Sequence, residues 1–277
     1  MDMEHKANNE SDIVMHLEAL SPACRLDRQL SDSSDPASVR GKIRAMPSIL
    51  AIDTSSEFAS VALLHGDTVL SRLASGPQTH SQTLLPMVQQ VLQEAGISLA
   101  DCAAIAFGAG PGSFTGVRTA CGVAQGLAFG ADRPVVAIST LEAMAQACHE
   151  STGATAVLAL LDARMGEVYW AQYRFTPTPE VVIAPCLSAP DGVQPIGAVT
   201  ACGNGLSAYA DAFAGRPFMQ DARADLMPHA AQVATLARLA LAAGAQVAAR
   251  DAQPIYLRNK IALTTAERLL KSQQVSA

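Results

Sequence analysis

Residues 103–118 read AAIAFGAGPGSFTGVR. Ala103 to Phe107 form an apolar run that fits a buried strand. The run feeds a loop with Gly108, Gly110, Gly112 and Gly116, and helical character starts near Phe114. A glycine-rich turn between a strand and a helix bares backbone N–H groups, where an anion can sit. Three frequent fingerprints fail on spacing. A dinucleotide-binding GxGxxG from Gly110 needs glycine where Thr115 stands. A P-loop must end in GK[ST], and the chain offers Gly116, Val117 and Arg118. A GxSxG elbow around Ser113 needs glycine where Pro111 stands. Two readings remain: a phosphate cradle of another kind, or a tight turn that packs the next helix close to its sheet.

Asp53, Thr54 and Ser55 close an apolar strand, Ile49 to Ile52. Their oxygens, with Gly110, Gly112, Ser113 and Asp162, could frame a phosphate site. The same residue types also satisfy their own turns, and no lysine lies nearby in the hairpin. The six cysteines are scattered and form no CxxC, which fits reduced thiols. The six histidines form no HExxH or HxxxH.

These residues need elements to hold them. After the first strand, Phe58 to Leu64 and Thr68 to Leu73 read as two more, joined at His65-Gly66-Asp67. A helix over His80–Ala95 carries Leu84, Val88, Val91, Leu92 and Ala95 on one face, and Gly96 ends it. The glycine loop and its helix follow, then a strand over 134–138 and a helix capped by Ser139. A similar order restarts at Ala156–Leu161, which ends at Asp162 and turns back through Val168–Phe175. Tyr169 and Trp170 alternate in direction there, so one of them faces a core. A strand and glycine turn over Val199–Gly205 follow, then a helix from Leu206 and an Ala-rich helix with Pro228 at its first turn. The repetition is one of pattern, and it predicts two related α/β lobes.

Of the 277 residues, 49% are apolar and 16% charged, as in a well-buried globular chain. The net charge of −6 argues against a protein that grips nucleic acid alone. No run of about 18 apolar residues predicts a membrane span, so the expected location is the cytoplasm. Residues 1–46 are rich in Ser, Asp, Glu and Arg. They read as a disordered extension or as a mis-called start, with Met46 directly before the first strand.

Five ordered segments now stand in line: ILAIDTSS (49–56), HSQTLLP (80–86), GAGPGSFTGVR (108–118), DARMGEVYWAQY (162–173) and IYLRNKIA (255–262). Together they resemble the TsaB (YeaZ) family over about residues 47–265. The resemblance implies the two-lobed actin-like, Hsp70-like, sugar-kinase-like (ribonuclease-H-like) fold. It divides the chain into an extension (1–46), an N-terminal lobe (47–154) and a C-terminal lobe (155–277). It also implies a part in making threonylcarbamoyladenosine in tRNA, where a paralogous TsaD-type transferase does the chemistry and a TsaE-type ATPase joins. tRNA would be met only through the complex.

In the TsaD-type relative, the resemblance implies, two histidines four apart on a helix bind a metal. Thr140 and Met144 stand at those positions here. A hydroxyl and a thioether make a poor site for such ions, so no metal, no cofactor and no catalytic residue are expected. The resemblance also places Asp53 where actin-like ATPases hold phosphate-bound magnesium, which makes the glycine loop an inherited cradle. A ribonuclease-H-type nuclease needs several carboxylates around its metals, and the 103–107 strand ends in glycine. The competing readings are an independent ATPase or kinase, and a metalloprotease.

Gly122, Gly126 and Gly130 recur every four residues, with Ala120, Ala124 and Ala128 between them. Such a surface admits a close helix, inside the core or from a partner. The resemblance implies that the first two helices bundle with TsaD, or with a second copy of the chain. The expected contacts are Leu84, Leu85, Val88, Leu92, Val117, Cys121, Gly122 and Gly126. Arg164, Glu167, Arg258 and Lys260 read either as partner or RNA contacts or as solvated surface.

Overall fold

The computed structural model describes residues 47–75 and 80–258, so the expected extension over 1–46 and Lys260 lie outside the described residues. Strand β1 (Ser48–Asp53) is buried along its whole length. β2 (Ala59–His65) and β3 (Thr68–Ala74) follow it as an antiparallel meander. Helix α1 (His80–Ala95) then lays Leu84, Met87, Val88 and Val91 into the core. β4 (Cys102–Gly108) pairs parallel to β1, α2 (Phe114–Ala131) follows, and β5 (Val135–Ile138) pairs parallel to β4. The sheet order is β3-β2-β1-β4-β5. Successive β1 side chains point to opposite faces, yet all are buried, so helices cover both faces.

The pattern then repeats. After α3 (Thr140–Thr152) come β6 (Ala156–Asp162), β7 (Val168–Phe175) and β8 (Pro179–Ser188), again an antiparallel meander. β9 (Thr200–Cys202) pairs parallel to β6, giving the order β8-β7-β6-β9. Short helices α4 (Gly205–Ala208) and α5 (Ala210–Phe213) follow, then α6 (Ala230–Ala242). Both Tyr169 and Trp170 are buried, where the sequence predicted one. Tyr169 packs with Leu141, Met144 and Cys148, and Trp170 packs on the other face with Leu206, Phe213 and Phe218.

The duplicated order is the α/β architecture that the resemblance implied. The units themselves are interleaved in sequence. Among the described residues, the first comprises those up to Gly108, Phe114–Ile138 and His229–Ala252, and the second comprises Ala109–Ser113, Ser139–Pro228 and those from Gln253. The predicted boundary at 154/155 is therefore corrected twice. α3 packs on β6 and β7, and α6 returns to pack on β1, β2 and β4. Pro228 precedes α6 rather than opening it. The N-cap is His229, whose Nδ1 accepts the Ala231 N–H at 3.1 Å. Ser139 stands at the N-cap of α3 without a side-chain capping bond.

Candidate functional site

In the first unit, β1 ends in Asp53, which is fully buried. Its Oδ1 accepts the Ser55 N–H at 3.0 Å and the Ser55 hydroxyl at 2.9 Å. Its Oδ2 has no hydrogen-bond partner and lies against Gly108. A Cβ on Gly108 would come within 1.7 Å of Oδ2, so only glycine fits there. Burial pushes the Asp53 carboxyl up to about 6, against the opposing bonds from Ser55. Thr54 is buried beside it, and its hydroxyl donates to the Gly116 carbonyl at 2.7 Å.

Gly110, Gly112 and Ser113 belong to the second unit. Gly110 has positive φ, at 100°. Its N–H donates to Thr140 Oγ1 at 3.1 Å, and its carbonyl accepts the Thr140 N–H at 2.9 Å. Gly112 is half-buried and Ser113 is exposed.

The actin-like fold suggests a phosphate-bound magnesium here, and these residues do not fit one. Magnesium asks for about six oxygens near 2.0–2.1 Å and keeps several waters. Asp53 is wholly enclosed, one of its oxygens holds two donors and the other faces backbone carbon. The Thr54 hydroxyl and the Gly110 N–H are engaged internally.

Thr140 and Met144 are likewise interior. Met144 Cε fills the space beside Gly203, where a Cβ would come within 2.2 Å, and the Met144 carbonyl accepts the Cys202 thiol at 3.7 Å. Among the described residues, no three His, Cys, Asp or Glu side chains gather to hold a metal. Cys102, Cys121, Cys148, Cys186 and Cys202 are free thiols. Among the described residues, no helix is long and apolar enough to cross a membrane.

The expected helix contacts divide sharply. Leu84, Val88, Val117 and Cys121 are buried in the first unit. Their 3.6-residue stripe is the core stripe. Leu92 is half-buried, and Leu85, Gly122 and Gly126 are exposed. At Gly122, Gly126 and Gly130 an added Cβ would meet nothing within 4 Å. Among the described residues, no neighbour requires these glycines. Yet glycine within a helix is weaker than alanine by about 0.5–1 kcal/mol each.

Two aromatic residues border this glycine ridge. Phe129 is 83% exposed, and Phe114 carries the Arg118 guanidinium 3.4 Å above its ring. At about 100° per residue, Phe114, Arg118, Gly122, Gly126 and Phe129 share roughly a third of the helix circumference. Sequence reasoning passed over the aromatics. Their spacing in a chain with 4% aromatic residues was the available signal.

In the second unit, Asp162 ends β6 as Asp53 ends β1. Its Oδ1 accepts the Arg164 N–H at 2.8 Å and the Tyr209 hydroxyl at 2.9 Å. Arg258 donates to the Ala163 carbonyl at 3.0 Å and pairs with Glu167 at 2.5 Å. Glu167 and Arg258 thus hold the hairpin, and Arg164 points outward.

Comparison with known proteins follows this division. The sequence profile of the family described as "TsaD: tRNA N6-adenosine threonylcarbamoyltransferase" matches residues 72–277. The Escherichia coli (strain K12) "tRNA threonylcarbamoyladenosine biosynthesis protein TsaB" is 42% identical over 221 residues, 77% of this chain and 96% of that protein. The Haemophilus influenzae protein of the same name is 39% identical over 227 residues, 77% of this chain and 94% of its own. The solved "YeaZ from Pseudomonas aeruginosa" is 44% identical with a TM-score of 0.72, covering 76% of this chain and all of that one. A second structure, titled an uncharacterized protein with similarity to peptidase YEAZ from Pseudomonas aeruginosa, gives 43% and 0.73.

Proposed function

Since the chain belongs to the TsaB family of tRNA threonylcarbamoyladenosine biosynthesis proteins, we propose that it is a non-catalytic subunit that pairs with and activates a TsaD-type transferase. The transferase moves threonylcarbamoyl from its adenylate to the N6 amine of the adenosine 3′ of the anticodon, releasing AMP, and a TsaE-type ATPase joins the assembly. The carrying observation is the glycine ridge of α2, where an added Cβ on any of three helix-weakening residues would meet nothing within 4 Å among the described residues. A partner helix drawn close over Gly122 and Gly126, flanked by Leu85, Phe114 and Phe129, explains that cost. A second copy of the chain would use the same ridge when the transferase is absent. The acidic net charge leaves tRNA phosphates to the other subunits. Asp53 and the glycine loop act as internal fastenings, which is why own nucleotide turnover is not part of this reading.

Reconstitution tests it. Purified transferase and ATPase, supplied with threonylcarbamoyl-adenylate and ATP, should modify tRNA at least tenfold faster with this chain than without it. Gly126→Leu, whose Cβ would meet nothing within 4 Å among the described residues, should cut transferase binding at least tenfold and leave the fold intact. Equal rates with and without the chain would remove the functional reading. Unchanged binding by Gly126→Leu and by Leu85→Asp would remove the interface.

A further inference from the structure

The hairpin joining β6 to β7 is built against the preferences of its own residues. Arg164 and Met165 both take left-handed backbone, at φ 61° and 59°, ahead of Gly166 at 78°. Side-chain-bearing residues resist this region, and Gly or Asn would make the turn with less strain. The surroundings hold it in place. The Tyr209 hydroxyl lies 2.9 Å from both Asp162 Oδ1 and the Glu167 carbonyl, and its single proton is shared between these two acceptors. Arg258 reaches the Ala163 carbonyl and the Glu167 carboxylate, and its Nη1 lies 3.7 Å from Met165 Sδ. This frame presents two side chains. Arg164 is 86% exposed although its Nη1 lies 3.2 Å from Asp162 Oδ2, and Met165 is 71% exposed. The turn does not need their chemistry, and strain kept at an exposed tip points to a use outside the fold.

We propose that this tip is a docking knob for a second protein surface: Met165 enters an apolar pocket, and Arg164 pairs with a carboxylate on its rim. The local charge selects protein over nucleic acid. Asp162, Arg164, Glu167 and Arg258 sum to zero, whereas tracking phosphates needs clustered positive charge. Methionine and arginine are both enriched in protein interfaces, and a thioether adapts to an irregular pocket. A tip already locked in shape loses little freedom on docking. The occupant is a protein subunit of the modification assembly, so the inference rests on the accessory-subunit reading above.

The test uses the full chain, purified transferase and ATPase, threonylcarbamoyl-adenylate, ATP and tRNA, with Arg164→Gly and Met165→Gly combined. Glycine relieves the left-handed strain, so the unfolding midpoint should hold or rise. The chain concentration that half-saturates tRNA modification should increase at least tenfold. An unchanged half-saturation would overturn the knob. So would a midpoint lowered by more than about 5 °C, since the side chains would then serve the fold. A salt-dependent loss of tRNA binding by the chain alone would overturn it in favour of RNA, and a loss confined to self-association in favour of a second copy. A wild-type chain that fails to stimulate modification at all would instead remove the accessory-subunit reading.

Discussion

Asp53 and Asp162 occupy the same place in the two repeats, and each accepts the N–H two residues ahead. Beyond that shared turn they diverge. Asp53 is sealed, with Ser55 on one oxygen and the backbone of Gly108 against the other. Asp162 keeps contact with solvent, binds Tyr209 and the Arg164 guanidinium, and supports a projecting tip. The same acid at the end of the same strand has become a core fastening in one unit and the foot of an exposed device in the other. Position in a fold fixes what an acid can reach. Its neighbours decide whether it stays inside.

The largest effect should come from breaking the seal. Gly108→Ala drives a Cβ to 1.7 Å from Asp53 Oδ2, and the expected loss is at least about 3 kcal/mol by urea unfolding. Adding Asp53→Ser should recover part of it, because the clash partner is gone. A loss under 1 kcal/mol, or no recovery, would show that the contact is not the reason for the glycine.

Next is the proton. Asp53 is raised from 3.8 to about 6, so the folded chain binds more protons than the unfolded one between those values. Stability should therefore fall by about 3 kcal/mol as pH rises from about 4 through 6, then stay level. Asp53→Asn should remove this step, measured as the difference between variant and wild type across the window. The ATPase reading expects the same variant to abolish magnesium-dependent turnover. A pH-independent difference would refute the buried-acid account.

Tyr209→Phe probes the other acid. It deletes the one donor that Asp162 and the Glu167 carbonyl share and should cost about 1–1.5 kcal/mol. Amide exchange should rise across the 162–168 turn and not at Asp53–Ser55. The smallest effect should be a gain. Gly126→Ala should stabilise the free chain by about 0.5–1 kcal/mol while weakening transferase binding. A destabilised free chain would show that the ridge serves internal packing.

Much of this was legible in the residues. The ends of α1 were readable because its apolar stripe follows the polar residues Gln78 and Thr79 in sequence and stops at Gly96. The paired acids were readable because each closes a continuous apolar strand. β8 was not, since Pro179 and Pro185 argue against a strand. It survives as an edge strand with irregular register, where three β8 steps from Ile183 to Cys186 face two on β7. The proposed interface was half legible. An apolar stripe marks a helix face without saying what covers it, so Leu84 and Val88 read like contacts and are core. The glycines carry the opposite signal, because a residue that weakens its own helix needs a reason. That reason shows only once the space around it is known to be open.

The return of α6 to the first sheet bears on how the chain is made. About 100 residues separate the end of β5 from the end of α6. At roughly 5–20 residues per second, the ribosome needs about 5–20 s to supply the helix that covers β1, β2 and β4. During that interval the oldest sheet waits with one apolar face bare. Newly made chains should therefore depend on a chaperone until α6 emerges, and a truncation before His229 should aggregate rather than yield a free first unit.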